Sequence, residues 1–75
     1  MNKEISKCMY SALKLKYQAD FATAKSSVLV YFNNPVGIGE HPQHIEEMDK
    51  LIATMVDAHD KFTLLEKEFQ QFNGD

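Results

Sequence analysis

Both prolines and two of the three glycines of this 75-residue chain fall in a single stretch, Asn33-Asn34-Pro35-Val36-Gly37-Ile38-Gly39-Glu40-His41-Pro42. No other part of the sequence contains a comparable cluster of backbone breakers, so this stretch decides how the chain can be divided. Pro35 restricts Asn34 to extended conformations and ends a preceding helix at about Asn33. Pro42 suits the first position of a new helix, with Glu46 and Glu47 in its early turns to complement the helix dipole. The reading is a single domain: a helix over about 3–33, a loop over 34–41 and a second helix over about 42–72.

Periodicity supports both helices. In the second segment Met48, Leu51, Met55, Ala58, Phe62, Leu65, Phe69 and Phe72 follow one another at spacings of three and four, the a/d seam of a coiled coil. Ile45, Ile52, Val56 and Leu64 lie outside that seam and widen the apolar surface. In the first segment Tyr10, Leu13, Tyr17, Phe21, Ala24, Val28 and Tyr31 step by three or four residues. A second apolar line runs through Ala12, Leu15, Ala19, Ala22 and Leu29. The run from Ser26 to Phe32 has strand-like composition, but a lone strand would have no partner in the chain, so a helix is predicted there.

Two segments of matched length with a short connection describe an all-α, antiparallel helical hairpin. A hairpin that carries apolar residues on more than one side needs a further layer to cover them. The expectation is a homo-oligomer, a dimer that completes a four-helix bundle or a multiple of such dimers. Met48, Leu51, Met55, Phe62, Leu65 and Phe69 are the candidate core of that assembly.

Composition narrows the function classes. Hydrophobic residues make up 44% of the chain and charged residues 25%, values ordinary for a folded globular protein. The eight basic residues are all lysines, outnumbered by eleven acids. With no arginine fork and no basic stripe, nucleic-acid binding is not expected. The polar faces are not lysine-rich and the longest apolar run, Val28 to Phe32, is too short to span a bilayer, so membrane binding is not expected either. One cysteine, Cys8, provides no disulfide framework; it reads as a small, semi-buried hydrophobe. The N-terminal run Met1–Cys8 lacks the apolar core of a signal peptide, which suggests a cytoplasmic setting.

No nucleophile–base arrangement and no cofactor fingerprint is present, so a non-enzymatic protein without cofactors is predicted. Three constellations could carry binding. Gly37 and Gly39 lead into the N-terminus of the second helix, where free N–H groups favour anions, and His41 and His44 could add donors. The competing reading gives the two glycines turn geometry alone. Tyr10, Tyr17 and Tyr31 form a stripe on the first helix with Lys14 and Lys25 nearby, suited to stacking on a small anionic ligand or a host protein, or to packing within the oligomer. Glu40, His41, His44 and Glu47 have spacings that could share a metal. A second ligand-bearing element is missing, and no metal is predicted.

The run Tyr31-Phe32-Asn33-Asn34-Pro35-Val36-Gly37-Ile38-Gly39-Glu40-His41-Pro42, followed by an acidic heptad helix, resembles small helical-hairpin proteins encoded by tailed bacteriophages. The resemblance supplies no catalytic residues. It implies a phage origin and a host-cytoplasm setting. By analogy with other small phage proteins, the expectation is an accessory protein that inhibits or sequesters a host component such as a defence protein. Capture of a nucleotide-derived signal rests instead on the glycine loop and the Tyr/Lys surface. The alternative is a structural or assembly accessory whose activity is self-association.

Overall fold

The computed structural model describes residues 3–34 and 43–74. Within them the chain forms two long helices, α1 (Lys3–Asn33) and α2 (Gln43–Glu68), and a short 3-10 turn over Gln70–Phe72. Paired positions run in opposite directions along the two helices: Lys14 meets Glu66, Phe21 meets His59 and Tyr31 meets His44. The fold is therefore the antiparallel hairpin that the periodicity predicts. His41, Gly37 and Gly39 lie outside the described residues.

The strand-like run Ser26 to Phe32 is helical throughout. Two polar side chains of this region bond to carbonyls one turn back: Ser26 Oγ donates to the Ala22 carbonyl at 2.9 Å and Asn33 Nδ2 donates to the Leu29 carbonyl at 2.8 Å. Both are side-chain back-bonds to carbonyls four residues earlier, which satisfy Ser26 and Asn33 within the helix. Burial of Val28 on the interhelical seam supplies the tertiary preference that overrides β-propensity.

The second helix is shorter than its heptad pattern. α2 ends at Glu68. Of the two phenylalanines that extend the a/d spacing, Phe69 precedes the 3-10 turn, its N–H donating to the Leu65 carbonyl at 3.0 Å, and Phe72 is the turn's last residue. The Phe72 N–H donates to the Phe69 carbonyl at 3.0 Å and the Asn73 N–H to the Gln70 carbonyl at 2.9 Å. A Cβ placed on Gly74 would lie 3.7 Å from Lys7 Cδ, so the turn brings the end of the chain alongside the first turns of α1.

The seam is thin. Among the described residues Tyr10, Ala24, Val28, Ala58 and Leu65 are the buried hydrophobic side chains. Met48, Leu51, Met55, Phe62, Tyr17, Phe21 and Tyr31 are half-buried along the same seam. The second apolar line of α1, from Ala12 to Leu29, is exposed, as is Cys8, which corrects the semi-buried position expected for that thiol. The molecule measures 57 × 16 × 14 Å. Its radius of gyration of 16.7 Å exceeds the roughly 11 Å of a compact chain of this length.

Polar contacts add little to the seam. Lys14 reaches Glu66 across the helices at 3.7 Å and lies 5.9 Å from the centre of the Phe62 ring. Lys16–Asp20, Lys50–Glu47 and Lys61–Asp57 are pairs within one helix, exposed to solvent that screens them.

Leu65, 7% exposed, fills the seam opposite the first half of α1, whereas Leu15 points outward. Truncating a buried leucine to alanine costs about 2–5 kcal/mol, and a domain of this size loses roughly 4–8 °C in Tm per kcal/mol. Leu65→Ala therefore lowers the melting temperature by about 10 °C or more, and Leu15→Ala changes it little, as followed by far-UV circular dichroism. Equal effects of the two substitutions would contradict the seam.

Candidate functional site

A mainly apolar groove of about 350 Å³ lies at the end of the hairpin where the start of α1 meets the 3-10 turn. Its α1 wall is built from Met9 and Leu13, one turn apart, and from Tyr10 and Tyr17, two turns apart. Its α2 wall consists of Lys61, Leu64 and Leu65, and the 3-10 turn closes it with Phe69 and Phe72. Phe69 precedes the 3-10 turn and Phe72 ends it, and both rings line the groove.

Among the described residues the lining contains no carboxylate and no histidine. Its one charged group among them, the Lys61 ammonium, is 2.9 Å from Asp57 Oδ2. The hydrogen bond from Lys61 and then the Asp57 charge hold the lysine pKa above its ordinary value, with smaller contributions from Tyr17 and Asp20. A raised lysine pKa means that the attraction is complete below the ordinary lysine range and is lost only as pH rises through the raised value. At neutral pH the groove has a neutralised rim and an apolar floor.

Another hollow, of about 260 Å³, is formed by Phe21, Ile52, Met55, Val56, His59 and Asp60. It opens on the other face of the hairpin. At about 100° per residue, Lys61 and Leu64 fall to one side of the inward-facing Ala58, and Met55 and Ile52 fall to the other.

No protein-family model, curated protein or solved structure matches the chain. What the site can do has to be read from its own residues.

The candidate residues are not gathered into one place. Tyr10, Tyr17 and Tyr31 do share a stripe, but that stripe faces α2: Tyr10 is buried and the other two are half-buried. Tyr10 and Tyr17 border the terminal groove, while Tyr31 lies at the opposite end against His44, with ring centres 5.3 Å apart. Lys14 is engaged by Glu66 and the Phe62 ring, and Lys25 is exposed. Of the four spaced metal candidates, Glu40 and His41 lie outside the described residues; His44 packs on Tyr31 and Glu47 pairs with Lys50 at 3.6 Å. Among the described residues no cluster of three or more ligating side chains forms. The periodicity brings Leu65, Phe69 and Phe72 to the groove but does not single out Met9 or Leu64 as its walls. The extra apolar residues flanking the seam, Leu64 among them, were the signal that pointed there.

The Tyr10 hydroxyl is buried without a hydrogen-bonding partner among the described residues, although tyrosine hydroxyls generally find one when buried. A buried polar group left unpaired costs about 1–3 kcal/mol. Tyr10→Phe keeps the ring in the wall and removes that cost, so the melting temperature stays the same or rises. A fall of several degrees would show instead that the hydroxyl makes a bond that stabilises the folded protein.

Proposed function

We propose that the protein is a non-enzymatic, self-associating helical module that acts by contact. Copies pair to complete a bundle, and the assembled surface holds another protein. The observation that carries this reading is the surface area. The chain exposes 5885 Å², against roughly 4,700 Å² for a compact monomer of 8.6 kDa. The excess of roughly 1,200 Å² is of the size that a stable interface removes, about 800 Å² per partner. Its character fits as well: thirteen large apolar side chains among the described residues are exposed, against five apolar side chains buried.

The helices are of the kind that make protein contacts rather than membrane spans. No described helix is long and apolar enough to cross a bilayer. Protein partners are favoured over a small anionic ligand, because the tyrosines proposed to stack on such a ligand face the seam and Lys14 is already engaged. The hollow around Ile52 and Val56 is a further concavity, separate from the terminal groove, that a second protein could occupy. That favours a module which holds a further protein over one whose whole activity is self-association. Taken with the resemblance of the Tyr31–Pro42 run to phage proteins, the further protein is a component of the host cell.

Sedimentation equilibrium of the full chain tests the reading. The expected species is a dimer, or a multiple of dimers, that dissociates on dilution. A chain that sediments with the mass of one copy at every concentration would overturn it.

A further inference from the structure

We infer that the terminal groove is the self-association surface, occupied by the same groove of a second copy across a twofold axis. The inference rests on the proposal that the protein self-associates and specifies where the second copy sits.

Three observations converge on this end of the hairpin. The first is where apolar surface is spent. Met9 is 63% exposed, Leu64 56% and Phe69 47%, and all three line one concavity. Met9 and Leu64 stand on opposite lips, one on each helix. Two such grooves placed face to face let the lip of one enter the hollow of the other, as ridges enter grooves between packed helices. In a twofold contact each such insertion occurs twice.

The second observation is charge. Lys61, the one charged side chain lining the groove among the described residues, is paired with Asp57 at 2.9 Å, and Asp20, itself paired with Lys16 at 3.0 Å, acts on it from α1. Each pair is neutral, and Asp20 lies close enough to raise the Lys61 pKa together with Asp57. A twofold axis brings a surface against its own copy, so an unbalanced charge would meet its like. This surface has an apolar centre and a balanced polar edge, the arrangement of a protein interface.

The third observation is the number of layers. A chain 57 Å long and only 16 × 14 Å in section is one layer of two helices. A stable domain has at least two. A second hairpin on the groove face supplies the missing layer and turns one seam into a four-helix core. A single helix from an unrelated protein would fill the groove but leave half of that layer absent.

The test uses the full chain and three substitutions at exposed positions, followed by sedimentation equilibrium and circular dichroism. Leu64→Glu places a carboxylate on the groove lip of both copies. Ile52→Glu does the same on the opposite face, and Leu15→Glu on the outer side of α1. The siting predicts that Leu64→Glu weakens the dimer by about 100-fold or more, while the other two leave the dissociation constant within a few-fold of wild type. If the separated Leu64→Glu chains also lose helicity at concentrations where wild type is folded, that is the same result read through folding, provided Ile52→Glu and Leu15→Glu stay helical. A wild-type dimer that is indifferent to Leu64→Glu, or that Ile52→Glu or Leu15→Glu disrupts instead, overturns the siting and leaves self-association standing. A wild-type monomer would leave the groove to a helix of another protein and defeat both.

Discussion

The structure depends on the supply of interior. Two antiparallel helices share one line of contact, and a line has room for few side chains. Here Tyr10, Ala24, Val28, Ala58 and Leu65 are the apolar side chains buried on it, and two of those five are alanines, which bring little apolar area. The interhelical ion pair between Lys14 and Glu66 does not make up the difference, since a partly exposed pair contributes about 0–1 kcal/mol. Everything else about the hairpin, including its elongation and its wide apolar surface, follows from this shortage.

The hairpin itself is legible in the sequence because its two determinants are local. A cluster of breakers between Asn33 and Pro42 divides the chain, and spacings of three and four mark which side of each helix turns inward. Val28 shows why the strand-like composition around it does not matter: it occupies a seam position at helical spacing, and burial there outweighs its preference for a strand. The groove was less legible. The heptad pattern continues smoothly through Phe69 to Phe72, and nothing in the spacing marks Glu68 as the last residue of α2. A spacing of three suits an α-helix and a 3-10 turn equally well, so the aromatic pair could be placed on a face but not assigned to a groove. The expectation of a semi-buried Cys8 failed for a related reason. Its neighbours Met9 and Tyr10 are apolar, but the 100° step turns the thiol away from the seam.

The tyrosine stripe illustrates how one pattern serves two roles. Read alone, three tyrosines with two lysines nearby suit a binding surface. In the folded chain the same residues are part of the hairpin's own packing: Tyr31 on His44 at one end, Tyr10 and Tyr17 beside the groove at the other. A two-helix protein has few residues to spare, and those suited to recognition are taken up by folding. The apolar surfaces that folding leaves uncovered are those on which the proposed contact-based function rests.

The central claim is that the folded state is completed by a second copy, and the dependence of the melting temperature on protein concentration tests it most directly. When folding and association are coupled, mass action stabilises the folded state as concentration rises. The account predicts a melting temperature that climbs steadily across a dilution series. A melting temperature that stays constant from the most dilute to the most concentrated sample, with a single cooperative transition, would show a self-sufficient monomer and contradict the account.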